Sequence, residues 1–225
     1  MHFQFLIEDQ SSELLISELM TKVQMKYPSI TFDLKAFHGI GHVPPPLPGA
    51  EVRQVKTDKL LNSLPLYLKG FDKRLSNISA ALFVVLDNDG RDPEAFKLSL
   101  QKLACQCQIS TDSVFCIAVE EIEAWLIGDM TAVFAAYPHL FQKMKTQQKK
   151  KLLKDCECKS SHGTWKDLAD ILYPGGAEKM KKSGYPEIGI KKCEWASKIG
   201  ACMDWDNNSS PSFRNFRDEV MKRIC

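Results

Sequence analysis

A chain of 225 residues can form one sizeable domain, or a domain with a substantial helical elaboration, and its 44% hydrophobic and 26% charged residues are those of an ordinary globular protein. The formal net charge of +2 sets up no overall field to attract nucleic acid or a membrane surface, so any such partner has to be met by a local patch. No run approaches the roughly 18 apolar residues of a membrane span. The opening segment Met1 to Asp9 has no basic region ahead of its apolar run, unlike a signal peptide. The expectation is a cytoplasmic protein with no membrane partner, its eight cysteines mostly reduced.

In chain order, Phe3 to Ile7 is short, apolar and rich in β-formers, which predicts a buried strand. Gln10-Ser11-Ser12-Glu13 opens a helix that stops at Tyr27-Pro28. Ile30 to Phe37 alternates as a second strand. His38-Gly39-Ile40-Gly41-His42 and the prolines Pro44, Pro45, Pro46 and Pro48 predict a loop. A helical region follows from about Val52 to Leu75. Ala80 to Leu86 is the clearest strand and runs into Asp87-Asn88-Asp89-Gly90, after which Pro93 suits a first helical position in a helix reaching towards Cys105. Val114 to Val119 predicts a further strand, leading into Glu120-Glu121-Ile122-Glu123-Ala124-Trp125-Leu126.

Alternation of strand and helix over residues 1–130 predicts an α/β core with a mostly parallel sheet and helices on both faces. From Met130 the strand signal ends. Residues 131–225 read as a helical C-terminal region packed on the core, broken at Pro174-Gly175-Gly176 and at Asn207 to Pro211. Cys105 with Cys107, and Cys156 with Cys158 ahead of His162, lack the two-residue gap of a zinc knuckle, so buried or incidental thiols are expected there.

Ligands of open α/β sheets bind beyond the carboxyl ends of the strands. Three of the four predicted strands end in acid: Glu8, then Asp87 and Asp89, then Glu120, Glu121 and Glu123. Carboxylates gathered at one edge raise one another's pKa unless a cation lies between them, and oxygen donors of this kind suit Mg2+ or Mn2+. In extended backbone Asp87 and Asp89 point the same way and both reach one metal, with Gly90 permitting a sharp turn behind them. The competing reading is a turn and helix cap, which Asp-Asn-Asp-Gly also serves.

Phe5-Leu6-Ile7-Glu8 opening into a helix, with Leu86-Asp87-Asn88-Asp89-Gly90 after a strand, resembles the Toprim pattern of topoisomerases, primases and nucleases. Ala118 to Asp129, with its Glu-Ala-Trp-Leu segment, resembles the signature of a Toprim-like family of bacterial proteins of unknown function, often encoded beside an ABC- or AAA-type ATPase. Ser210-Pro211-Ser212-Phe213-Arg214-Asn215-Phe216 is similar to that family's C-terminal motif, and His38-Gly39-Ile40-Gly41 to a weaker one. The resemblance implies a Toprim-like fold in which Glu8 is a general base or metal ligand and Asp87 and Asp89 bind metal. Two departures stand out: Asp9 replaces the usual glycine after the glutamate, and Asn88 stands where a basic residue is common.

Of Glu121 and Glu123, only one is expected to face the metal if a helix is beginning there, and the nearness of Glu121 to the strand end favours it; Trp125 is expected in the core. Lysines crowd the second half, from Lys143 to Lys154 and at Lys181, Lys182, Lys191, Lys192 and Lys198. Such runs are as often a solvated face as a nucleic-acid patch. Ser212, Arg214 and Arg217, in or beside the C-terminal motif, are the candidate phosphate contacts. The resulting expectation is a Mg2+- or Mn2+-dependent nuclease hydrolysing phosphodiester bonds, acting on nucleic acid as an effector in bacterial anti-phage defence or repair with an ATPase partner. The alternative is a non-catalytic Toprim-like scaffold for that ATPase or for a nucleotide.

Overall fold

The computed structural model describes residues 1–44, 57–142 and 163–224. Strands β1 (His2–Ile7), β2 (Thr31–Ala36), β3 (Ala80–Asp87) and β4 (Asp112–Ala118) form one four-stranded sheet in the order β2-β1-β3-β4. Every pairing is parallel. Between the strands run α1 (Gln10–Lys26), α2 (Leu60–Leu75) and α3 (Pro93–Cys107). After β4 the described residues are helical: α4 (Glu123–Ile127), α5 (Met130–Ala136), α6 (Pro138–Gln142), α7 (Thr164–Leu172), α8 (Gly176–Lys182), α9 (Tyr185–Cys202) and α10 (Pro211–Ile224).

Alternation along the strands builds a core on each face of the sheet. Phe3, Phe5, Ile7, Phe83 and Val85 face α1 and the C-terminal helices. Leu6, Leu82, Val84 and Leu86 face α2 and α3. This explains why β1 and β3 read as continuous apolar runs: each is covered on both sides. The protein is therefore an α/β fold with an all-parallel sheet between two helical layers.

The elements start where local chemistry dictates. Asp9 caps α1, its Oδ1 accepting from the Ser12 backbone N–H at 2.8 Å. Asp92 caps α3 in the same way at 2.7 Å from Ala95 N, and Pro93 takes the first helical position. Helix α2 begins at Leu60, later than the apolar pattern predicts, because Lys59 ahead of it is extended; Val52 to Lys56 lie outside the described residues.

The C-terminal helices share the α1-side core. Helix α9 lies along α1, so close that a Cβ at Gly200 would stand 3.0 Å from Leu15 Cδ1. Lys22 of α1 donates to the Gly200 and Met203 carbonyls and closes the end of α9. The two sequence motifs of the second half are fastened to each other. Trp125, fully buried, stacks on Phe216 with ring centroids 5.0 Å apart and donates its indole N–H to Ser212 Oγ at 2.8 Å. Asn208 donates to the Trp125 carbonyl at 2.8 Å.

Candidate functional site

The strand order places a topological switch between β1 and β3. The connection from β1 leads outward to β2; the chain then crosses back over β1 to β3 and continues to β4. Helices α1 and α3, which follow the two central strands, leave to opposite faces. A crevice therefore opens beyond the carboxyl ends of β1 and β3, the place where open α/β sheets bind ligands. Glu8 follows β1 and Asp87 ends β3. The two meet there: the Asp87 backbone N–H donates to Glu8 Oε2 at 3.0 Å.

The strand ends at Asp87, which corrects the expectation that Asp87 and Asp89 project together from extended backbone. Asp89 adopts a left-handed φ of 48° and Gly90 one of 73°, so the chain turns at once. Asp87 is 7% exposed, whereas the Asp89 side chain is about half exposed and pairs with Arg91 at 3.4 Å. Asp89 still adds its charge to the field at Glu8. Asn88 is a fastener between strand ends: its Oδ1 accepts from Glu120 N at 2.6 Å and its Nδ2 donates to the Arg91 carbonyl at 2.8 Å. That anchors Glu120 in a left-handed turn at φ 65°, a conformation that costs a β-carbon-bearing residue about 1 kcal/mol.

The local geometry at Glu121 and Glu123 also differs from the helical start expected there. Because Glu120 turns the chain and α4 begins only at Glu123, helical spacing does not apply between the two. Glu123 is the buried one, at 1% exposure. Its Oε2 forms an ion pair with Lys192 Nζ at 3.0 Å, and its Oε1 has no hydrogen-bond partner among the described residues. Glu121 Oε2 accepts from Trp165 N at 3.0 Å and from Thr164 Oγ1 at 3.3 Å, closing the N-terminus of α7, while its Oε1 stands 3.8 Å from Lys192.

Lys192 is the functional candidate that sequence reading did not single out. Along α9, Ile188, Trp195, Ala196 and Ile199 form the core-facing stripe, and Lys192 falls on that stripe. A lysine at a core position of an amphipathic helix was the available signal, hidden in the Lys191-Lys192 pair. Burial acts to lower the Lys192 pKa, but the charges of Glu123, Glu121, Asp87 and Asp9 outweigh it and hold the ammonium above its ordinary value.

One cation cannot neutralise the acids around it. Burial, opposed by the Asp87 N–H and reinforced by the charges of Asp89 and Asp9, pushes Glu8 up to about 7. Burial pushes Glu123 to about 7 as well, against the pull of Lys192. Burial and then Glu8 raise Asp87 well above the carboxylate range. The crevice is thus a buried acidic centre with excess negative charge and one fixed ammonium.

The donor chemistry fits a hard divalent cation: every acid is an oxygen donor, and Glu123 Oε1 is buried without a hydrogen-bond donor among the described residues. The spacing is less complete. Among the described residues, no group of three or more His, Cys, Asp or Glu side chains stands close enough together to hold a metal ion. No family model, characterised protein or solved structure matches the chain. The site therefore rests on its own geometry.

The proposed phosphate contacts lie elsewhere in this arrangement. Ser212 is buried, between the Trp125 indole and the Val119 N–H. Arg214 Nη1 donates to the carbonyls of Ser209 at 2.7 Å and Asn208 at 3.3 Å. Arg217 pairs with Asp218 and donates to the Asp206 carbonyl. All three hold the C-terminal motif in place. Lys143 to Lys154, Cys156, Cys158 and His162 lie outside the described residues. No helix among the described residues is long and apolar enough to cross a membrane.

Proposed function

We propose that the chain is a Toprim-type nuclease that hydrolyses phosphodiester bonds with Mg2+ or Mn2+, as an effector working beside an ATPase. The observation that carries this reading is the junction of Glu8 with Asp87 at the switch point, next to buried Glu123 and Lys192. Glu8 and Asp87 would hold the ion, with Asp89 contributing charge from the rim and Glu123 adding its charge at Asp87. Bound there, the ion supplies Lewis-acid polarisation of a phosphate oxygen and an acidified water.

The chain's own groups supply the rest. Lys192 is a permanent cation, able to offset charge on a phosphodiester oxygen as it grows. If Glu8 stays clear of the ion, its carboxyl, lifted to about 7, is suited to accept a proton at neutral pH. The resemblance of Glu8, Asp87 and Asp89 to the Toprim acids supports the same chemistry.

A second reading has its own observation. Lys192 already supplies a cation to the acids, and no three-ligand group is assembled among the described residues. This favours a scaffold that binds an ATPase or a nucleotide and cuts nothing. The deciding experiment incubates the protein with plasmid, single-stranded DNA and RNA in Mg2+ or Mn2+. Cleavage lost in Asp87→Ala supports the nuclease. Metal binding without cleavage, even with the ATPase present, supports the scaffold.

A further inference from the structure

The two edges of the sheet are built differently. Edge strand β2 carries charges at Asp33 and Lys35, the kind of residue that protects an open edge from pairing with another chain. Edge strand β4 pairs only with β3 among the described residues. Past its first residue it reads Ser113-Val114-Phe115-Cys116-Ile117-Ala118, with no charge and no proline. A groove of about 750 Å³ reaches Ser113 and Phe115 from the flank of α3, and a second cleft runs past Cys116, Ile117 and Val119 between α3 and α10. An apolar parallel edge strand with no further pairing partner among the described residues is a template for another strand.

The helix beside that edge is self-complementary. Leu98 projects from α3 with 51% exposure, one of the few large apolar side chains left in solvent. Glu94 lies one turn before it and Lys102 one turn after, both exposed on the same helix face. Neither has an ion-pair partner among the described residues. A two-fold axis at Leu98 would set α3 antiparallel to its copy, bring Leu98 against Leu98, and place each Glu94 opposite the other chain's Lys102. A two-fold interface requires this self-complementarity.

We infer that the exposed edge of β4 and the outer face of α3 form a homodimer interface, joining the sheets of two copies by antiparallel pairing of β4 with β4. A second copy suits this surface because the two-fold sets each Glu94 opposite the other chain's Lys102 and Leu98 against Leu98. The inference is independent of the chemistry assigned to the crevice, which opens at the strand ends and not along this edge.

The test is the mass in solution at micromolar concentration, by sedimentation or light scattering. The expected result is twice the 25.5 kDa of the chain. Leu98→Asp should give the monomer with an unchanged circular dichroism spectrum, since Leu98 contributes little to the core. Glu94→Lys should weaken the dimer about tenfold or more, because two pairs turn repulsive at once, and adding Lys102→Glu should restore it. In a Cys105→Ser background, Leu98→Cys should form a disulfide-linked dimer on mild oxidation, whereas Cys105→Ser alone should not. A monomeric wild type overturns the inference, as does a dimer indifferent to both Leu98→Asp and Glu94→Lys.

Discussion

Replacing Lys192 with methionine removes the one cation that, among the described residues, acts on Glu123, Glu121, Asp87 and Asp9 together, while keeping most of the side-chain volume on the α9 stripe. Glu123, 1% exposed, then loses its ion-pair partner and must either stay charged without compensation or take up a proton at pH 8, and both cost stability. Breaking a buried pair from one side costs about 3–5 kcal/mol, a large fraction of a domain's whole stability. For a chain of this length each kcal/mol moves Tm by roughly 2–4 °C, so Lys192→Met should lower Tm by about 6–20 °C at pH 8. The loss should shrink at pH 5. A carboxyl whose folded pKa is raised contributes stability below its unfolded value near 4.5 and loses it as pH rises through the folded value of about 7. At pH 5 Glu123 is protonated with or without the lysine, and methionine then costs little. Adding Glu123→Gln removes the orphaned charge and should recover most of the pH 8 loss. Thermal unfolding by circular dichroism at both pH values checks this. An unchanged Tm for Lys192→Met at pH 8, or no recovery in the double variant, would refute the assignment of Lys192 as the compensating cation.

The same raised groups govern the unmodified protein. Glu8 and Glu123 each move from about 4.5 to about 7, so without divalent ions stability should fall by roughly 3 kcal/mol or more as pH rises across that window, measured by urea unfolding. His2, whose pKa burial lowers, pulls the opposite way near the top of the window; a His2→Asn background removes it from the comparison. Gly128→Ala should lower stability by about 2 kcal/mol or more, because its Cβ would stand 2.2 Å from Asn208 Oδ1 and 2.8 Å from Ser210 Cβ; an unchanged Tm would contradict that packing. Arg214→Ala should lose about 1–2 kcal/mol of stability through the two carbonyls it leaves, while nucleic-acid affinity in a filter-binding assay stays the same; a large loss of affinity with stability intact would return Arg214 to the phosphate contacts.

The sheet was legible because its signals are local. Apolar runs two layers deep, Asp9 and Asp92 as caps and Pro93 at the head of α3 each act within a few residues. Glu8 and Asp87 were legible for a topological reason: acids at the ends of parallel strands converge wherever the strands become neighbours, and β1 and β3 do. The backbone at Asp89 and Glu121 departs from the expected strand and helix because a single angle decided each. A left-handed residue ends the extended run at Asp89 and delays α4 after Glu120, and periodicity carries no record of such a turn. Ser212 and Arg214 have structural partners that the motif alone did not reveal: the Trp125 indole, 87 residues away, donates to Ser212, and Arg214 donates to the carbonyls of Asn208 and Ser209.

Lys192 connects these observations. The sheet supplies Glu8 and Asp87, the turn after β4 supplies Glu123, and the cation among them arrives on α9. Helix α9 is held against α1 by apolar packing and by Lys22 on its carbonyls, so the ammonium has a fixed address. The acids repel one another when Lys192 is withdrawn, and Lys192 is a costly buried charge when they are neutral. Docking of the C-terminal helices and ionisation of the crevice are therefore coupled, each stabilising the other. Any cation or phosphate that enters the crevice changes the charge Lys192 faces. It must then alter the affinity of α9 for the sheet by the same free energy with which that docking alters its own binding.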